Sequence, residues 1–408
     1  MRILYLHQYF VPPQAHGKTR TYELARRLID KGHDVTVLTT PGEMPDAYKS
    51  IKRVTRLTME GVPVIILPVQ YSQSMSYPRR MWAFVVAGWL MASVAMRHKA
   101  DVIYASSGPL TIAIPALIAK MMRRIPMVFE VRDLWPDLPI AIGAIRHPLL
   151  IRLARRLERI AYHGAAHVVA LSPGMKEGVL RRGVAAHKVT VIPNSCDLDL
   201  FDVPVEQGLV FRQRLGLTPS QPLITYAGSF GYMNRVEYLV EVALEMRHLD
   251  PTVHFLLVGF GAHKQKIEDY ARQRGVLNVN LTVMSSVAKE DMPAVLSATT
   301  IATSLFLPIQ EMWHNSANKF FDALAAGRPI AINYGGWQAQ LLEKHQVGIR
   351  IADTNPALGA HQLARFLSDV DRLQVARLNA RQLARTEFHR DVTADQLEAV
   401  LQQAIESQ

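Results

Sequence analysis

The chain has a single cysteine, Cys196, in 408 residues. No intrachain disulfide can form, which excludes a disulfide-stapled scaffold and fits a reducing compartment. Acid is scarce too: 35 Asp and Glu stand against 46 Lys and Arg, a net charge of +11. There is no low-complexity tract and no repeat at solenoid or propeller spacing, which argues against a disordered chain or a repeat array. The amino terminus lacks a long apolar core with a small-residue cleavage site. Arg2 to His7 is short, and Pro12-Pro13 follow soon after. The segment reads as a first β-strand and not as a secretory signal, so cytoplasmic residence is expected.

One stretch, Met81–Met96, carries no charge, but it is shorter than the roughly 20 apolar residues that span a bilayer comfortably. Arg79-Arg80 precede it and Arg97-His98-Lys99 follow, so the flanks give no sidedness. Three readings stay open: a buried core helix, a helix dipping into one leaflet, and a true span. Trp82 and Trp89 suit a headgroup boundary. Between Arg79 and Arg182, sixteen Lys and Arg face six Asp and Glu, a local excess of 16 − 6 = +10. A field of that kind attracts phospholipid headgroups or nucleic acid. No recognised nucleic-acid module and no aromatic interleaving accompanies it, so nucleic acid is not an expected partner. An anionic membrane surface is, through the Arg79–Lys99 and Arg146–Arg159 regions. The expectation is a cytoplasmic protein held peripherally on the inner face of the plasma membrane.

Short, β-branched, nearly continuous apolar runs alternate with helical segments from end to end. In the first half, strands read at Ile3–His7, Asp34–Leu38, Val62–Pro68, Val102–Ala105, Met127–Val131, His167–Leu171 and Val189–Ile192. Runs without a polar face suit parallel strands covered on both sides. A helix from about Lys18 to Asp30 stops at Gly32, and another starts at Ser172-Pro173, a cap followed by proline at the first helical position. After Pro193-Asn194-Ser195-Cys196-Asp197 the alternation starts afresh, with strands at Leu223–Ala227, Val253–Val258, Val279–Val283, Ile301–Leu305, Pro329–Ile332 and Val347–Ile351. From Pro356 the chain reads as helical to its end. Serial βα units predict doubly wound parallel sheets. The fold class expected is therefore α/β, two Rossmann-like domains facing a cleft, with boundaries at 1–195, 196–385 and a terminal helix at 386–408. Ligands of such sheets bind beyond the carboxyl ends of the strands, which directs attention to the strand-to-helix loops.

Five loops carry candidate chemistry. Gln8–Lys18 ends in His16-Gly17, and Gly17 before a helix start would let a phosphate approach free backbone N–H groups. Gly228–Asn234, and Gly259-Phe260-Gly261 after the next strand, also permit close approach of a nucleotide. Neither satisfies GxGxxG with an acid at the following strand end, so a nicotinamide site is disfavoured. His314–Gly327 opens a helix after IATSLF, with Asn315 or Ser316 as its cap. Asn315, Lys319 and Asp322 fall at i, i+4 and i+7 and share a helical face. A helix start with a lysine in its first turn suits pyrophosphate, and Asp322 two turns in suits ribose hydroxyls. The fifth loop, Phe129–Asp137, places Glu130, Arg132 and Asp133 at a strand end, where an acid could assist or an acceptor could be oriented. Asp197-Leu198-Asp199 looks like a metal-binding DxD but is discounted, because it lies in the interdomain break and not after a sheet strand. No other His, Asp or Glu cluster has metal-ligand spacing, so no metal site is expected.

Together these segments resemble glycosyltransferase family four, whose members have the GT-B fold. Lys31–Thr39 is similar to the family's second strand, and Pro193-Asn194, Asp197 and Phe201 match PNxxDxxxF. Asp322–Gly327 matches Glu-Ala-x-Ala-x-Gly. FEVRDLWPD and NSANKFFDALAAG are similar to a subgroup that builds bacterial O-antigens, capsules and exopolysaccharides. The resemblance implies a retaining transfer from a UDP-sugar, as co-substrate and with no cofactor, to a lipid-linked acceptor. It also implies a last helix packed back on the first domain. The family's paired glutamates, Glu-x7-Glu, fall on His314 and Asp322 here. Its arginine and lysine after the first strand of the second domain fall on Ser229 and Asn234. Lys319, with Arg235 or Arg20, is then expected to supply the missing positive charge. Two rival classes are a sugar-nucleotide epimerase of the same fold and a basic nucleic-acid binder.

Overall fold

The computed structural model describes residues 1–12, 20–69 and 75–407. Its contacts divide the chain into two units. One comprises Met1–Pro193, His314–Ser316 and Arg390–Gln408, the other Asn194–Trp313 and Ala317–His389. Each is built on a twisted α/β sheet, the architecture the alternating pattern predicts.

The first unit's strands are β1 (Arg2–Leu6), β2 (Asp34–Thr39), β3 (Thr55–Met59), β4 (Val62–Ile66), β5 (Val102–Ser106), β6 (Met127–Val131), β7 (His167–Ala170) and β8 (Val189–Val191). They lie in the order β3-β4-β2-β1-β5-β6-β7-β8. All pair in parallel except β3, which runs antiparallel to β4. Leu4, Leu6, Ile103 and Phe129 pack on one side of the sheet with the helices Tyr77–Arg97, Ala113–Arg123 and Pro148–Gly164. Ile3, Tyr5, Tyr104 and Val128 pack on the other with Arg20–Asp30 and Arg390–Glu406. Apolar side chains on both sheet faces explain why these strands show no polar alternation.

Strand β3 is absent from the sequence reading. Its residues alternate between half-buried and exposed, as an edge strand does. It is joined to β4 by Glu60-Gly61, both in the left-handed region at φ 46° and 83°. Two positive φ values give the hairpin turn whose twist matches its strands, usually written Asn-Gly; Glu-Gly here hides it.

The helix Tyr77–Arg97 buries Ala87, Met91 and Ala95 yet exposes Trp82, Val85 and Trp89. Among the described residues no helix is long and apolar enough to cross a membrane. The last helix starts at Arg390 rather than 386 and lies on Arg20–Asp30. Leu397, Val400 and Leu401 are buried there, each worth about 1.5–3 kcal/mol. Around them Arg27 pairs with Asp391 at 2.7 Å, Lys31 with Asp395 at 2.6 Å and His33 with Glu398 at 2.7 Å.

The second unit holds β9 (Leu223–Ser229), β10 (His254–Phe260), β11 (Leu281–Ser285), β12 (Ile301–Ser304), β13 (Ile330–Ile332) and β14 (Gly348–Arg350). They lie in the order β11-β10-β9-β12-β13-β14, all parallel. Ile224, Tyr226, Phe255 and Leu257 face the helices Glu237–Leu249 and Pro356–Ser368. Leu223, Leu256 and Val258 face Val205–Arg214 and Met292–Ala298. Strand order places β9 at the centre, so the loop leaving its carboxyl end opens at the middle of the sheet.

Candidate functional site

In the second unit the loops beyond β9 and β12 converge on one cation. The helix Asn318–Ala325 follows β12 and carries Lys319 in its first turn. Lys319 Nζ donates to the Tyr226 hydroxyl at 3.1 Å and to Asn234 Oδ1 at 2.9 Å. It also sits 4.5 Å from the Tyr226 ring centre and 4.8 Å from that of Phe306. Ring faces attract a cation, but they do not neutralise it. Among the described residues no carboxylate pairs with this half-buried lysine, and desolvation pushes its ammonium down to about 7. A nearby anionic charge would favour the ammonium form of a cation so destabilised. Asn234, which stands where the resemblance noted above implies a lysine, is thus a direct partner of Lys319.

Asp322 lies one turn on from Lys319 and is half-buried. The expected cap is not formed. The residue preceding the helix is Ala317, with no side-chain cap, so Asn315 does not share a helical face with Lys319 and Asp322. His314, Asn315 and Ser316 group instead with the first unit. There Ser172 Oγ caps Pro173–Leu180 by accepting from Met175 N at 3.1 Å and donates to the His314 carbonyl at 2.6 Å. The His314 ring lies so close over Gly174 that no Cβ fits.

Ser229 is exposed at the end of β9, and its carbonyl accepts from the Tyr226 hydroxyl at 2.9 Å. Gly259 and Gly261 are accounted for by packing. A Cβ on Gly259 would strike the Gly228 carbonyl, and one on Gly261, at φ 143°, would strike the Phe230 backbone. Both let the β9 and β10 loops touch, and the Phe230 N–H donates to the Phe260 carbonyl there at 2.6 Å. Arg235 donates to the Asp353 carbonyl at 3.0 Å and stacks near Tyr238. Gly17 lies outside the described residues.

The first unit gathers a second polar cluster at the carboxyl ends of β1, β5 and β6. Glu130 is fully buried and accepts from Arg20 Nε at 2.9 Å, the Tyr104 hydroxyl at 2.5 Å and Ser106 Oγ at 2.5 Å. Burial alone would raise its carboxyl, but Arg20 and Arg132 together with the two hydroxyls hold it below the ordinary value. With both oxygens engaged and no exposure, Glu130 is an anchor. The expectation of an acid facing the acceptor is corrected at this residue. Arg20 is likewise committed. It also donates to the carbonyls of Pro193 at 2.5 Å and Ile192 at 2.9 Å, so it does not supply charge to a diphosphate. Arg132 is half-buried: its backbone N–H donates to Ser107 Oγ at 2.9 Å, and Nη1 lies 3.1 Å from Nε2 of the buried His7. His7 in turn meets Thr21 at 2.9 Å. Asp133 is exposed beside them. His7 went unread because it closes a strand and no pattern sets it apart. Tyr226 and Phe306 read simply as core aromatics.

Among the described residues no three His, Cys, Asp or Glu side chains are placed to hold a metal. The first Asp of the DxD, Asp197, pairs with Lys289 at 3.4 Å.

Residues 17–195 match the glycosyl transferase 4-like domain, and residues 221–369 match glycosyl transferases group 1. The chain therefore belongs to the glycosyltransferases of family four, with the GT-B fold. It is 25% identical to WcaI of Escherichia coli (strain K12), provisionally named a colanic acid biosynthesis glycosyl transferase. That match covers 68% of this chain and 69% of the relative. Its fold is similar to that of Anabaena HepE, solved with UDP and glucose, at TM-score 0.75 and 18% identity over 98% of this chain and 99% of that one. WaaG, a glycosyltransferase involved in lipopolysaccharide biosynthesis, superposes at TM-score 0.70 and 16% identity over the same shares.

Proposed function

We propose that the chain transfers a sugar from a UDP-sugar to a lipid-linked acceptor, with retention of anomeric configuration, in building a bacterial cell-surface polysaccharide. The observation that carries this reading is the uncompensated Lys319 ammonium beyond the carboxyl ends of β9 and β12. When the bond between the anomeric carbon and the diphosphate breaks, negative charge develops on the leaving phosphate oxygen. A positioned cation in a dry site stabilises that charge best. Asp322 accepts from the ribose hydroxyls, and Ser229 and Asn234 line the donor. Arg132 and Asp133 orient the acceptor. The UDP bound to HepE and the colanic acid and lipopolysaccharide roles in the names of WcaI and WaaG support this choice.

The test is product analysis with a panel of UDP-sugars and a membrane lipid extract. Transfer gives a glycosylated lipid together with UDP. Interconversion of UDP-sugars without acceptor would instead make the chain an epimerase. Asp322→Ala is expected to raise KM for the donor some tens of fold, the worth of one charged hydrogen bond. An unchanged KM would remove the ribose assignment.

The acceptor's lipid requires a membrane, and we assign its docking to one layer of the first unit. Trp82, Val85 and Trp89 form an exposed stripe on Tyr77–Arg97, with Trp82 69% and Trp89 70% exposed. Met121 and Met122 on the adjoining Ala113–Arg123 are 77% and 70% exposed, and Arg152, Arg156 and Arg159 project from Pro148–Gly164. Aromatic and apolar side chains rimmed by arginine suit an anionic headgroup layer. Replacing both Trp82 and Trp89 by Ala should weaken partitioning onto phosphatidylglycerol vesicles about tenfold or more. Sedimentation with those vesicles measures it, and equal binding to purely zwitterionic vesicles would contradict the anionic part.

A further inference from the structure

The second unit carries another concentration of positive charge, at the opposite edge of its sheet. Thr299 and Thr300 lie just before β12, and Arg328 lies just before β13. Both places are amino-terminal strand edges, whereas Lys319 belongs to the carboxyl edge. Arg328 Nη1 donates to the Thr299 carbonyl at 3.1 Å, while its Nε is enclosed by protein and meets no acceptor. Arg212 is buried next to it and fixed by Thr300 Oγ1 at 3.2 Å and the Gln221 carbonyl at 2.5 Å. The helix Val370–Thr386 adds Arg377 and Arg381. Arg377 Nε is also enclosed and without an acceptor. The Arg381 stem lies across Gly327, whose φ of 61° and lack of a Cβ make room for it. Among the described residues the carboxylate paired with this group is Asp202, which takes Arg381 Nη2 at 3.1 Å from an exposed position.

We propose that this edge of the second unit binds a phosphate-class oxyanion, received by the half-buried guanidiniums of Arg328 and Arg377 and flanked by Arg212 and Arg381. Four guanidiniums gather there, and among the described residues the ion pair that offsets them is the exposed one to Asp202. Each unmet N–H removed from water costs free energy until an acceptor arrives. The planar guanidinium fork matches tetrahedral oxyanions, whose oxygens accept from several donors at once. Burial, followed by the charges of Arg377, Arg212 and Arg381, presses the Arg328 guanidinium down to about 10. Oxyanion binding reverses that pressure. The site is separate from the proposed donor site and would let phosphate, or a phosphorylated metabolite or lipid headgroup, govern the stability of the donor-binding unit.

Thermal unfolding of the full chain tests this, with sodium phosphate titrated against sodium chloride at equal ionic strength. A saturable rise of about 4 °C is expected near a hundred times Kd. Arg377→Gln should abolish the rise and should not lower the midpoint measured without phosphate, because it relieves like-charge repulsion. Arg381→Gln, on an exposed side chain, should blunt the rise and serves as the second variant. Lys319→Met should keep the rise, since its loss would place the anion in the donor site. A rise that persists in Arg377→Gln, a rise lost in Lys319→Met, or none in the wild type overturns the proposal. Phosphatidic acid vesicles that protect where free phosphate does not, with the same arginine dependence, would mark the oxyanion as a lipid headgroup.

Discussion

Lys319→Met is expected to lower kcat/KM for sugar transfer about a thousandfold, the scale of losing a positioned electrostatic group in a water-excluded site. Methionine keeps an apolar stem against Tyr226 and Phe306, so packing is conserved while the charge is removed. Thermal stability should hold or rise, because a desolvated cation with no acid partner among the described residues is costly. Loss of activity together with loss of folding would point to a structural role instead.

A proton signature separates the two further. The free ammonium titrates near 7 because it is withdrawn from water, and a bound diphosphate favours its charged form. Donor binding above pH 7 therefore takes up a proton, and affinity falls as pH rises through the window between the free and the bound value. At pH 8, calorimetry in two buffers of different ionisation enthalpy should show uptake of about 0.9 proton per UDP-sugar, by the ordinary titration relation. A UDP-sugar is the right ligand, since it lacks the titrating terminal phosphate of UDP. Lys319→Met should show no uptake. Equal uptake in both proteins would assign the proton elsewhere.

Much of this architecture is legible in residue order because parallel strands buried on both faces leave unbroken apolar runs. The pattern Ile-Leu-Tyr-Leu in β1 can sit in few other places. β3 escapes because Thr-Arg-Leu-Thr-Met is half exposed and its turn is Glu-Gly. Lys319 and Asp322 are legible because a helix start after a strand is a local feature. The surroundings of Lys319 are not: Tyr226 lies 93 residues away and Asn234 85, and an aromatic on a strand reads as core. The cap shows how close the local reading runs to failure, since Asn315 and Ser316 suit a helix start by type yet the chain turns into the helix only at Asn318. Glu130 misleads for a related reason. Acids bunched at a strand end look alike whether they face a ligand or a buried arginine, and Arg20 stands 110 residues distant.

That arginine carries the other large effect. Arg20→Met should destabilise the first unit by about 3–5 kcal/mol at pH 8, because it leaves Glu130 charged, enclosed and unpaired. It also releases the carbonyls of Ile192 and Pro193, where the chain leaves the unit. The sign of the pH dependence follows from Glu130. In the native protein its carboxyl is held below the ordinary value, so the stability it contributes is present above about 4.5 and fades as pH falls through the lowered value. Without Arg20 the opposing effect of burial dominates, the acid protonates more readily, and the loss should shrink from pH 8 toward pH 5.5. Glu130→Gln should cost a similar amount with no such relief, since the stranded guanidinium cannot shed its proton. Arg20→Met with Glu130→Leu should cost less than the sum of the singles, because neither charge is left alone. Urea unfolding at the two pH values measures all three. If the single costs simply add, the two side chains do not depend on each other, and the buried pair is not what fastens β1, β5 and β6 to the end of the first unit.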